Sequence, residues 1–154
     1  MKIAALYISP GHNYFGRHGK PPGEHPLLSV ASVECLAGRG LSGDRFLDYK
    51  DDYAGQITFF AGEIYDEIQQ ALHEHKRPAA VFRRNVLTRG ADLNALIGQE
   101  FEVQGVRFLG TRECSPCYWM DQAFAPGAEA WLKGRGGLRA KILSSGWLRV
   151  DAPC

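Results

Sequence analysis

Apolar residues in this sequence come in short alternating runs, cut every few positions by glycine, proline or charged residues. The run over residues 2–8 reads as a strand, and "LLSVASVECLA" (27–37) as a second, with Val30, Ser32 and Glu34 on one face and Ala31, Val33 and Cys35 on the other. Cys35 belongs with core residues on that pattern. "GQITFF" (55–60) is a further short strand. "AAVFRRNVLT" (79–88) is a strand whose alternation is broken by two arginines and an asparagine, a break that needs a reason. "EFEVQGVRFLG" reads as a tight hairpin turning at Gln104-Gly105, and "LRAKILSSGWLRV" as a second hairpin. One clear helix is predicted from Glu63 to about Lys76, where Ile64, Ile68 and Leu72 recur every four residues. "ADLNALIG" gives a single helical turn capped by Asp92, and a short helix starts at Pro126 and ends before Gly134.

This amounts to about seven or eight short strands with no repeat and no strand–helix–strand alternation. The expectation is a mostly β fold: a closed, largely antiparallel β-barrel with a few peripheral helices, since closure removes the edges that many short strands would otherwise expose. A chain of 154 residues suits one domain over 1–154.

A net charge of +1 gives no concentrated basic face, so nucleic acid is not an expected partner. Twelve of the eighteen cations are Arg, whose planar fork suits a small anionic ligand. The opening apolar run is too short for a signal peptide, and none approaches the ~18 residues of a membrane span. Four cysteines, at 35, 114, 117 and 154, are too few for a secreted disulfide scaffold, which makes a reducing cytoplasm the expected location. "SPGHNYFGRHGKPPGEHP" (9–26) packs four Gly, four Pro and three His into eighteen positions. It reads as a long loop bordering a site, with Tyr14 and Phe15 offering flat faces to a ligand.

The chemistry concentrates in "TRECSPCYWMD" (111–121), with thiols at Cys114 and Cys117. Structural zinc would need four ligands, and no second Cys or His pair completes the set; His73 and His75, two apart, splay around a helix. A redox dithiol would sit ahead of a helix in a strand–helix–strand setting, which this pattern lacks. The third reading is one working thiolate, nucleophile or soft-metal ligand, with the other cysteine as neighbour. Beside an arginine cluster, it points to a metal-bearing phosphorylated cofactor.

"GDRF" at 43–46, "FRRNVLTRGADLNALIGQEFEVQGVRFLGTRECSPC" at 82–117 and "GRGGLRAKILSSG" at 134–146 together resemble the MOSC domain, named for the carboxy-terminal domain of molybdenum cofactor sulfurases. "YISPGHNYFGRHG" resembles its stand-alone bacterial branch. The resemblance implies a MOSC-type β-barrel that binds the molybdenum cofactor, a phosphorylated pterin dithiolene. By the same resemblance Cys117, preceded by Pro116, is the catalytic sulfur that ligates molybdenum or carries a persulfide. Arg83 and Asn85 match an Arg-x-Asn motif beside the cofactor, with Arg84 where eukaryotic relatives have proline, and the motif does not choose between Arg83 and Arg84 for the inward position. Arg45 resembles a cofactor-facing arginine that Asp44 could orient.

The activity implied is that of an oxidoreductase acting on N-hydroxylated compounds, or of a sulfur-transfer protein. A non-catalytic cofactor or persulfide carrier is the alternative, and a zinc-stabilised interaction domain a weaker one. No flavin, haem or iron–sulfur motif is present, so electrons would come from an external donor protein. Pyridoxal phosphate belongs to a separate domain of the sulfurases, and no lysine here has a setting that suits it.

Overall fold

The computed structural model describes residues 1–12, 21 and 23–153. Among these residues, ten strands form two sheets. They are β1 (Lys2–Ile8), β2 (Leu28–Val30), β3 (Ser32–Leu36), β4 (Gly40–Leu41), β5 (Ile57–Ala61), β6 (Val86–Arg89), β7 (Glu100–Val103), β8 (Val106–Glu113), β9 (Leu138–Ile142) and β10 (Gly146–Arg149). The larger sheet has seven strands in the order β2-β1-β6-β5-β9-β8-β7, and the smaller has the order β10-β3-β4. Helices α1 (Gly62–Ala71), α2 (Trp119–Ala123) and α3 (Ala128–Leu132) and two 3₁₀ turns, Ala79–Phe82 and Asn94–Leu96, accompany them.

The closed barrel expected from the strand count is not what forms. The larger sheet ends at β2 and β7, which do not pair with each other, and the architecture is two open sheets with helices. The edge problem is met differently, because the two end strands are only three and four residues long and offer little for another strand to extend. A second correction concerns order. β5 and β6 are parallel, with α1 between them in sequence, so one strand–helix–strand unit is present.

Packing explains why β5 is apolar at every position but Thr58, whose N–H and hydroxyl are taken up by Asn85. All five of its residues are buried: Ile57 and Phe59 face a core shared by both sheets with Ile3, Val33, Leu138 and Leu148, while Phe60 faces the helices with Ile68, Phe82 and Leu132. Four local expectations also shift. The run 27–37 breaks at Ala31 and supplies a strand to each sheet. "LRAKILSSGWLRV" is not a hairpin: β9 pairs with β5 and β8, and β10 pairs with β3. Helix α1 stops at Ala71 because His73 turns left-handed at φ 53°. Residues 79–82 form a 3₁₀ turn closed by Arg83 at φ 61°, so the polar "RRN" is a turn ahead of β6 and interrupts no strand. The hairpin at Gln104-Gly105 forms as expected, both residues having positive φ.

Candidate functional site

A cavity of about 250 Å³ opens on the helix-bearing side of β5. Three connections and two elements build its wall. The segment between β4 and β5 contributes Arg45, Phe46 and Tyr53; the turn before β6 contributes Phe82, Arg83 and Arg84; the loop after β8 contributes Cys114, Ser115 and Cys117. Trp119 and Met120 of α2 and Arg139 of β9 close the sides, with His12 at the edge.

The two cysteines differ in access. Cys114 is 6% exposed and Cys117 is exposed. Backbone contacts set this: the Cys114 N–H donates to the Gly137 carbonyl at 2.8 Å, and a side chain at Gly136 would overlap the Cys114 carbonyl. Gly136 therefore lets the segment leading into β9 approach Cys114 closely, and the chain is exposed again at Cys117 before α2. Cys35 lies in the core, where burial pushes its thiol up to about 12.

The arginines are positioned by backbone carbonyls. Arg84 donates from Nε to Gly136 at 2.9 Å, from Nη1 to Phe82 at 2.8 Å and from Nη2 to Cys114 at 2.8 Å. Arg83 donates to the carbonyls of His25 at 2.7 Å and Gly11 at 2.9 Å, which ties both ends of the 9–26 segment to the pocket rim. Ser9 Oγ donates to the same two carbonyls. Arg45 pairs with Asp44 at 3.1 Å and donates to the Arg83 carbonyl at 3.2 Å; the two side chains are 7% and 0% exposed. Burial holds the Arg45 pKa below its ordinary value, and Asp44 acts against that shift.

Of the six residues singled out from the sequence, Arg45, Arg83, Arg84 and Cys117 line this one cavity. Asp44 and Asn85 lie behind its wall. Asp44 accepts from the N–H groups of Ser9 and Phe46 as well as from Arg45. Asn85 accepts from the Thr58 N–H and hydroxyl and donates to the Tyr7 carbonyl, so it locks β1, β5 and the turn before β6 together. Tyr14 and Phe15 lie outside the described residues.

Sequence reasoning missed the aromatic wall and Arg139. Phe46 stacks on Tyr53 with centroids 5.5 Å apart, and His12 meets the Phe46 edge at 5.0 Å. The His12 pKa is lowered by burial first and then by Arg45 and Arg83, with Asp44 opposing. Arg139 could have been found from "LRAKI", where strict alternation puts Arg139 and Lys141 opposite Leu138, Ala140 and Ile142. Among the described residues, no group of three or more His, Cys, Asp or Glu side chains is placed to hold a metal ion.

An open-sheet domain with the exposed thiol of Cys117 set among guanidinium groups is the class these features define. The chain belongs to the MOSC domain family, which it matches over residues 28–154. Its fold is similar to that of the YuaD protein from Bacillus subtilis, with a TM-score of 0.75 at 18% identity over 97% of this chain and 91% of that one. It is also similar to YiiM from Escherichia coli (TM-score 0.67, 18% identity, 99% and 68% of the two chains). YiiM from Geobacillus stearothermophilus gives a TM-score of 0.68 at 14% identity, over 99% and 72%. No curated protein matches the chain by sequence. Among the described residues, no helix is long and apolar enough to cross a membrane.

Proposed function

We propose that this cavity holds the molybdenum cofactor and that Cys117 is its protein sulfur, as metal ligand or persulfide carrier, in an oxidoreductase acting on N-hydroxylated compounds or in a sulfur-transfer protein. The observation that carries the reading is an exposed thiol, Cys117, in a cavity lined, among the described residues, by four guanidinium groups and by no carboxylate. The donor set fits such a group. With no cluster of three protein ligands among the described residues, a metal bound here must bring most of its own donors, as a dithiolene does, and take one soft sulfur from the chain. Among the described residues there is likewise no set of three further ligands of the kind a structural zinc site uses.

When bound, the cofactor supplies a redox centre capable of oxygen-atom transfer. The chain's own part is to hold and orient. Cys117 would be the ligand, Arg83, Arg84 and Arg45 supply fixed positive charge, and Phe46, Tyr53 and Trp119 provide flat faces for a planar ring. Asp44 and Asn85 act one layer out, fixing Arg45 and the β5–β6 connection. Electrons come from an external donor protein, and free thiols at Cys35, Cys114 and Cys117 suit a reducing cytoplasm.

Metal and pterin analysis of protein purified from cells that make the cofactor tests this. Molybdenum with pterin supports the proposal, and stoichiometric zinc without pterin refutes it. Turnover of an N-hydroxylated base with an added reductase then separates an enzyme from a carrier, which would hold the cofactor without turnover.

A further inference from the structure

Arg139 is unlike the other three arginines of the cavity. Those three are spent on backbone carbonyls or on Asp44. Among the described residues, the Arg139 guanidinium has neither hydrogen bond nor ion pair. Its neighbour on the same face of β9, Lys141, is neutralised by Asp52 at 2.7 Å. Directly across the β8–β9 pair Arg139 faces another arginine, Arg112, beside a register shift between Gly110 and Arg112. Like charges opposite each other on a sheet are destabilising, and an anion between them would reverse the sign. The half-buried stem of Arg139 lies beside Gly55 and the Tyr53 ring, and the residue lines the cavity together with Tyr53 and Phe46.

We propose that Arg139, supported by Arg112 across the strand pair, is the receptor for an oxyanion on the ligand that occupies this cavity, a planar molecule ending in a phosphate or carboxylate. The inference rests on the cavity being a ligand site, but it does not require molybdenum. The oxyanion could belong to the cofactor or to the substrate, and the experiment separates the two.

The full chain is purified from cells unable to make the pterin and titrated with phenyl phosphate and with benzoate, read by calorimetry and by tryptophan fluorescence. Wild-type protein should bind at least one of them. Arg139→Gln should weaken that binding roughly tenfold or more, Arg139→Lys should fall between, and Lys141→Gln should match wild type. Equal binding by wild type and Arg139→Gln, or no binding by wild type, overturns the proposal. In protein from cofactor-making cells, loss of pterin from Arg139→Gln assigns the oxyanion to the cofactor. Retained pterin with a raised KM for an anionic substrate, but not for its neutral analogue, assigns it to the substrate. Retained pterin with both KM values unchanged counts against the proposal. A chain that binds phenyl phosphate through Arg139 yet never takes up molybdenum would refute the cofactor reading and leave this one standing.

Discussion

The Arg84 guanidinium donates through Nη2 to the Cys114 carbonyl at 2.8 Å, tying the turn before β6 to the loop that carries Cys117. Two further bonds from the same side chain, to Phe82 and Gly136, make it the clamp for three segments of the cavity wall. Arg84→Ala leaves three half-buried carbonyls without that donor and should cost about 2–3 kcal/mol, with Arg84→Lys recovering part of it. Urea unfolding checks this, and an Arg84→Ala midpoint equal to wild type would show the clamp to be redundant.

The Asp44–Arg45 pair is shielded from water on both sides. Asp44→Ala strands a buried guanidinium and removes the acceptor for the Ser9 and Phe46 N–H groups, at a cost of roughly 3–5 kcal/mol. The exposed pair Arg39–Asp48 is the contrast, and Arg39→Ala should give no resolvable change in the same unfolding assay.

His12 makes the stability of the fold depend on pH. Its folded-state pKa lies below the ordinary 6.5, through burial first and the Arg45 and Arg83 charges next, with Asp44 opposing. The unfolded chain therefore takes up that proton more readily. Stability from this group is complete above 6.5 and declines as pH falls through 6.5 toward the folded-state pKa. Wild type should lose more melting temperature than His12→Gln between about pH 7 and about pH 5; parallel curves would remove His12 from the account.

Thiol access should follow the cavity geometry. In a Cys154→Ser background, iodoacetamide should label Cys117 in the folded chain and spare Cys114 and Cys35, the latter held up to about 12 by burial. Peptide mass mapping reads the result, and labelling of Cys114 at the Cys117 rate would mean that the loop does not hold the arrangement described.

Local chemistry was legible in the sequence, and partner choice was not. Gln104-Gly105 specifies its own turn, so the β7–β8 hairpin could be read directly. Alternation in Leu138–Ile142 and in Gly146–Arg149 marks both as strands, but nothing in it tells β9 to pair with β5 and β8, or β10 with β3. Open sheets in place of a barrel have the same origin, since edge pairing is decided between distant segments. At the site, Cys117 and the arginines stood out by residue type. Which cysteine is buried depends on Gly136 meeting the Cys114 carbonyl from far along the chain. Arg139 was readable as an outward residue of β9, but not as one lacking a counter-charge.

The most direct test of the central claim is the molybdenum content and turnover of Cys117→Ala, purified beside wild type and Cys114→Ala from cells that make the cofactor. Cys117 is exposed, so its replacement should leave the melting temperature close to wild type. The account predicts that Cys117→Ala, still folded, loses its molybdenum or its turnover, while Cys114→Ala is affected only in part. Cys117→Ala protein that keeps both at wild-type levels would contradict it.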